Sequence, residues 1–217
     1  MLVRAEAVVL RTLAYQDHAA ILTVYSAHEG RTDLIKKGRR PPVQTLALCE
    51  FVYRKKPGYE LYTVRECAGT RVYRTLYDEP LKMMYGMYAA EVFLALVVEK
   101  EEANPPLFHR LRRFLIELDE SITGLFGVTT CFLADLTAFA GYSPEGRVFN
   151  PKTGLWDETC GDEAGRWMAR YFDPVPPAEP PKALRPKIWE AFLRFWELHV
   201  PEFRRPKSWD VFREFFE

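Results

Sequence analysis

The sequence predicts an α+β protein in which a small closed β-barrel, residues 1–78, precedes an α-helical domain, residues 79–217. Three observations lead there. Short β-branched and aromatic runs, separated by Gly and Pro turns, fill the first third of the chain. From Leu81 onward the apolar positions recur at steps of three and four, as on helices. Charge divides at the same place: thirteen Lys and Arg stand against eight Asp and Glu up to Asp78, and the excess reverses afterwards, although the whole chain has a formal net charge of zero.

The barrel strands follow in order. Ala5 to Leu13 is rich in Ala, Val and Leu, and Ala20 to Tyr25 is β-branched and aromatic. His28-Glu29-Gly30 is a turn, after which Arg31 to Lys37 pairs back as a third strand. Pro41 and Pro42 stop that segment because neither can donate a ladder hydrogen bond. Leu46 to Lys55 is the fourth strand, and Lys56-Pro57-Gly58 turns the chain into Tyr59 to Glu66. There Leu61, Thr63 and Arg65 share one face, and Tyr62 and Val64 the other. Thr70 to Leu76 continues extended beyond Gly69. A sheet this small exposes its edges unless it closes.

Helices take over at Asp78-Glu79-Pro80. Leu81, Met84, Tyr85, Tyr88, Val92 and Leu96 make the first apolar stripe. Asn104 caps a second helix with Pro105 at its first position, and the stripe is Leu107, Phe108, Leu111, Phe114, Leu115 and Leu118. A third carries Leu125, Thr129, Phe132, Leu133, Leu136 and Phe139 and stops at Gly141. A loop from Tyr142 to Cys160 leads to a fourth helix, Asp162 to Phe172. Six prolines between Asp173 and Pro186 make that stretch a connector, and Lys187 to Val200 and Ser208 to Phe216 close the chain as aromatic helices.

Composition excludes several classes. With 48% hydrophobic and 14% aromatic residues the chain carries a core, unlike a disordered tail. Its longest apolar run, Val92 to Val98, falls far short of the ~20 residues a membrane span needs. Arg4, Glu6 and Arg11 interrupt the start, which is no signal peptide, so the chain reads as a soluble cytoplasmic protein. Cys49, Cys67, Cys131 and Cys160 lack the close spacing of a zinc site and read as small apolar fillers in a reducing compartment. His18, His28, His109 and His199 are scattered too, so neither metal nor cofactor is expected.

Hydrolase, P-loop, dinucleotide and metalloprotease signatures are absent. The acid pairs Glu101-Glu102 and Asp119-Glu120 read as solvated charge at helix ends. Binding is the better expectation than catalysis.

The basic barrel suits single-stranded nucleic acid, because a cationic groove follows phosphates while bases stack on aromatic faces. Candidate phosphate contacts are Arg31, Lys36, Lys37, Arg39 and Arg40, with a second cluster at Arg54, Lys55 and Lys56. Gly38 would let a backbone N–H approach a phosphate, and Tyr53, Tyr59 and Tyr62 are candidate stacking platforms. The bland readings stand beside these: a solvated turn at 36–40, lysine protection of a hairpin tip at 54–56, and core packing for each tyrosine.

The chain also resembles a known family. Met1 to Thr12, the Tyr15-Gln16-Asp17 turn, Ala20 to Tyr25, His28 to Arg31 and then Lys37-Gly38 with Arg40 are similar, in that order, to the start of the bacterial recombination mediator RecO family. Glu101 to Pro105, Leu107-Phe108, Phe149 to Trp156, Leu193 to Phe203 and Ser208 to Phe216 look like its Bacteroidetes-like branch. The resemblance implies an N-terminal OB-fold and a helical C-terminal domain. It further implies binding of single- and double-stranded DNA, annealing of complementary strands, and loading of the recombinase RecA onto DNA coated by single-strand-binding protein, together with RecR. It assigns DNA contact to Lys37 and Arg40 by motif position, and docking of the single-strand-binding protein's acidic tail to the helical domain. No membrane and no small-molecule substrate is implied.

One departure stands out. Many family members hold zinc with four cysteines in the helical domain, whereas here Gly141-Tyr142 is followed by Ser143-Pro144-Glu145-Gly146 with only Cys160 downstream. Metal is therefore not expected, and Phe149, Leu155 and Trp156 are expected to hold the loop at 142–160 by packing. The alternative function is a protein-docking module whose basic barrel matches an acidic partner.

Overall fold

A computed structural model of the protein describes residues 1–38, 43–97, 102–142, 147–150, 154–157, 162–175 and 177–216. Two compact units result: Met1–Pro80 with Val97–Asp119, and Leu81–Leu96 with Glu120–Glu217.

The first unit contains β1 (Leu2–Tyr15), β2 (Ala19–Ser26), β3 (Gly30–Lys37), β4 (Leu48–Arg54) and β5 (Leu61–Gly69). Their hydrogen-bonded order, β1-β2-β3-β5-β4, closes on itself as an OB-fold barrel. All pairings are antiparallel except β3 with β5, which run parallel through Asp33↔Leu61, Leu34↔Tyr62 and Ile35↔Thr63. The long first strand pairs with β4 over Leu2 to Val8 and with β2 over Ala7 to Tyr15. A register shift between Val9 and Arg11 bends it enough to serve both neighbours.

Every second residue of the strands fills the interior. Val3, Ala7 and Val9 point inward from β1, Leu22 and Val24 from β2, Cys49, Phe51 and Tyr53 from β4, and Tyr62 from β5. The expected faces of the fifth strand hold, with Tyr62 buried and Leu61, Thr63 and Arg65 exposed. At the β2–β3 turn Gly30 has φ 59°, and a Cβ there would collide with the backbone of Glu102. Only glycine fits.

Segment 70–76 is not the extended continuation expected, because β5 ends at Gly69. Instead the carboxylate of Asp119, on α2 (Pro105–Glu120), accepts the backbone N–H groups of Arg74, Thr75 and Leu76 at 2.9 Å each. Thr75 Oγ1 also donates to the Asp119 carbonyl at 2.7 Å. Asp119 is therefore no solvated helix-end charge: it is 2% exposed and anchors the chain leaving the barrel. Periodicity missed it because a single acid at a helix end looks alike whether it meets water or backbone donors. α2 belongs with the barrel unit, although it follows residue 78 in sequence. Asn104 caps it as expected, accepting the Leu107 N–H at 3.0 Å, and its six stripe residues are all buried.

The second unit holds α1 (Pro80–Leu96), α3 (Leu125–Phe139), α4 (Glu163–Arg170), α5 (Arg185–His199) and α6 (Ser208–Phe216). A short hairpin, β6 (Val148–Asn150) and β7 (Leu155–Asp157), lies within the stretch expected as loop. Trp189 is the hub: it stacks on Tyr88 at 4.4 Å between ring centroids and on Phe126 at 5.3 Å, with Phe212 tilted at 5.1 Å. Its indole N–H donates to Thr130 Oγ1 at 2.8 Å, and two turns further along both helices Trp196 donates to Thr137 Oγ1 at 3.0 Å. The repeated pair fixes α3 and α5 in parallel register. Of the expected stripes, Leu81 and Phe139 are 41% and 43% exposed and lie outside the unit's core.

The hairpin is tied to α5. His199 Nε2 meets the Gly154 carbonyl at 2.5 Å, Tyr142 donates its hydroxyl to the His199 carbonyl at 2.6 Å, and Phe149 meets the Phe195 ring edge-on at 5.4 Å. Packing by Phe149 is thus present, whereas the side chains of Leu155 and Trp156 fall outside what is described. A Cβ on Gly165 of α4 would strike the Phe149 carbonyl, so that helix approaches the hairpin as closely as backbone allows.

Two outcomes follow. Burial alone would raise the Asp119 carboxyl, but the backbone donors of Thr75, Arg74 and Leu76, helped by Arg71, hold it below the usual carboxylate range. A depressed folded-state pKa gives stability that is present above the unfolded value of about 4 and lost as pH falls through the folded one. Asp119→Asn should therefore cost about 2 kcal/mol at pH 7 in urea melts, with the gap to wild type closing in acid. Thr130→Val, which leaves the Trp189 N–H buried without an acceptor, should cost about 1–3 kcal/mol in the same assay.

Candidate nucleic-acid interface

A groove of ≈ 620 Å³ opens on the barrel where the β4–β5 hairpin passes the start of β3. Parallel pairing of β3 with β5 creates it, because that pairing sets residues 59–61 beside residues 31–33. Arg31, Lys55 and Lys56 supply its cations, Asp33 and Glu60 its carboxylates, and Tyr59 and Tyr62 its rings. The turn between the strands is the expected one, with Gly58 at its tip.

The three cations are not equivalent. Lys55 Nζ lies 3.0 Å from Glu29, with both side chains largely buried, and 5.9 Å from the Tyr62 centroid. Arg31 donates from Nη1 to the Val97 carbonyl at 3.2 Å, and burial lowers its guanidinium pKa against the opposing pull of Asp33. Both have structural work inside the barrel unit. Lys56 is exposed and reaches over the Tyr59 ring at 5.7 Å.

The aromatic candidates divide as well. Tyr53 and Tyr62 stack on each other at 5.8 Å and are 2% and 4% exposed, so they belong to the core. Tyr59 is 62% exposed and offers a free face for a base.

Other basic candidates lie elsewhere. Lys36, half-buried, and Lys37, exposed, end the third strand opposite Ala20 and Ala19. At about 3.3 Å per residue they stand roughly 17–20 Å from Arg31. Arg54 is exposed at the end of β4, outside the groove. Arg39 and Arg40 lie outside the described residues. The Gly38 N–H, expected to face a phosphate, instead donates to the His18 carbonyl at 2.8 Å, because the β2–β3 ladder extends one step beyond Lys37. Sequence reading assigned Arg31 and Lys55 to phosphate contact without their partners Val97 and Glu29; no spacing in the chain announces either pairing.

The helical unit has a second groove, ≈ 540 Å³, among the start of α4, α5 and α6, with Asp162 and Glu190 also in its lining. Lys187, Arg194 and Arg213 ring it beside the buried Trp209, while Arg205 is committed to Glu190 at 2.6 Å and to Glu197 at 2.5 Å. Among the described residues no three His, Cys, Asp or Glu side chains group as metal ligands would, and Cys160 lies outside them. No described helix is long and apolar enough to cross a membrane.

The closed strand order defines the first unit as an OB-fold barrel, and its groove presents basic and tyrosine side chains. Residues 1–73 match the family model described as recombination protein O N terminal, and residues 78–147 the one described as recombination protein O C terminal. The chain is 25% identical to a DNA repair protein RecO of Christiangramia forsetii over 94% of this chain and 95% of the relative. It is 30% identical to one of Phocaeicola vulgatus over 66% of this chain and 63% of that protein, and 29% identical to one of Chlorobium luteolum over 67% and 57%. The chain belongs to the RecO family.

The two neighbouring lysines should separate in thermal and chemical melts. Lys55→Ala, which strands Glu29, should cost about 1 kcal/mol, whereas Lys56→Ala should stay within about 0.5 kcal/mol of wild type.

Proposed function

We propose that the protein is a non-enzymatic mediator of DNA repair and recombination that binds DNA through its barrel. The observation that carries this reading is the pairing of Lys56 with the exposed ring of Tyr59 at the mouth of the groove. A cation for phosphate and a free aromatic face for a base are what single-strand binding by OB-folds uses. Membership of the recombination protein O family supports the same role. Lys36, Lys37, Arg39, Arg40 and Arg54 act as further phosphate contacts, and Arg31 and Lys55 shape the groove and set its potential. An OB-fold covers roughly 4–16 nucleotides, so one strand can serve both ends of β3.

Family membership extends the proposal to duplex DNA, strand annealing, and RecA loading with RecR on DNA covered by single-strand-binding protein. The groove among α4, α5 and α6, where Lys187, Arg194 and Arg213 supply cations, suits that protein's acidic tail. Such a mediator works in the cytoplasm.

Fluorescence anisotropy of a labelled oligonucleotide, titrated at several salt concentrations, tests the reading. Binding should weaken steeply with salt as counterions are released. Tyr59→Ala should cost about 1–3 kcal/mol of affinity, and Lys56→Glu should reduce the salt slope by about one. The Lys37→Glu, Arg40→Glu double variant should weaken all sequences alike, as phosphate contacts do. Absence of binding at low salt would favour a barrel that docks an acidic protein instead.

A further inference from the structure

We propose, given the DNA-binding reading of the barrel on which this rests, that the β1–β2 hairpin carries a second stacking platform. There Tyr15 holds a base of a single strand and Lys37 a phosphate, at the opposite end of β3 from Tyr59. Register builds the platform. β1 pairs with β4 as far as Val8, and β3 with β5 as far as Ile35. Pairing of β1 with β2 runs on to Tyr15↔Ala19, and that of β2 with β3 to Ala19↔Lys37. The three strands therefore continue as an arm beyond the pairings that close the barrel. Thr12 Oγ1 donates to the Val43 carbonyl at 2.8 Å, and the Gly38 N–H to the His18 carbonyl at 2.8 Å, so both ends of the arm are braced.

Residues directly opposite one another share a face. Tyr15, Ala19 and Lys37 thus form one row across the arm, and Leu13, Ile21 and Ile35 the next. Alternation sends both rows outward, because Ala20, Leu22 and Leu34 belong to the interior. Arg31 and Asp33, which line the groove with Tyr59, stand on the same face of β3 as Lys37. One outer face of the third strand therefore joins the two sites.

The row has the chemistry a strand needs. Tyr15 is 41% exposed and Leu13 54%, two large apolar groups held in water on one face of the arm. Ala19, opposite Tyr15, has only a methyl group to set against the ring. Lys37 is exposed two strand spacings from Tyr15, about 10 Å, so a base on the ring leaves its phosphate near the ammonium. Asp17, exposed in the turn, offsets one positive charge, which leaves stacking to supply most of the affinity. From Arg31 to Lys37 is about 20 Å at 3.3 Å per residue. A strand stacked at about 3.4 Å per nucleotide covers that with about six nucleotides, within the roughly 4–16 of an OB-fold.

The test titrates the full chain into labelled oligothymidines of roughly 4 to 16 nucleotides at low salt and follows anisotropy. Wild-type affinity should climb with length until a strand reaches both platforms. Tyr15→Ala should weaken the longer strands by about 5- to 100-fold and flatten the dependence on length. Tyr15→Phe, which keeps the ring, should stay near wild type. Irradiating a strand that carries iodouracil, which joins to rings stacked on it, should label the Tyr15 peptide as well as the Tyr59 one. That crosslink is read on the wild-type chain and does not depend on how a variant folds. Equal affinities of Tyr15→Ala and wild type at every length, with label at Tyr59 alone, would overturn the second platform and leave the groove as the DNA site. Failure of the wild type to bind any of the strands would overturn the DNA-binding reading and the platform with it.

Discussion

Three parallel residue pairs between β3 and β5 hold the barrel shut, and the candidate interface exists because of them. Without Asp33↔Leu61, Leu34↔Tyr62 and Ile35↔Thr63 the sheet would keep two open edges, and the hairpin carrying Lys56 and Tyr59 would have no reason to lie beside β3. Closure also buries Tyr62 against Tyr53, which turns two of three tyrosines into core and leaves Tyr59 outside. One topological constraint thus sorts interior rings from exposed ones.

Electrostatics follows the same division. Arg31 and Lys55 face partners within their own unit and have lost part of their freedom to meet a ligand, since a partly buried ion pair resists exchange. Lys56, Lys37 and Arg54 keep theirs. A cationic groove can therefore hold its shape with some of its charges and offer others outward. Asp119 works by the same rule, since three backbone N–H groups and one carboxylate hold the chain that leaves the barrel.

Much of the architecture was legible in the sequence. Apolar, β-branched and aromatic runs between Gly and Pro turns placed β1 to β5 within a few residues, and the Asn104-Pro105 and Gly141 signals bounded two helices correctly. What stayed hidden depends on distant partners. Nothing local distinguishes Asp119 from Glu120, nor says that Lys55 will meet Glu29 while Lys56 will not. The return of α2 to the barrel unit is hidden for the same reason, since an amphipathic stripe states that a helix is covered and not by what. Of the site, the residue types were readable, whereas the separation of Lys36 and Lys37 from the groove became visible only once register fixed both ends of β3.

The most direct test of the DNA-binding barrel is amide hydrogen exchange of the whole chain with and without a short oligothymidine at low salt. Slowed exchange concentrated in residues 55–63 and along β3 is the predicted result. Protection confined to the helical unit, or no change at a concentration where anisotropy reports saturation, would contradict the assignment of this groove to DNA.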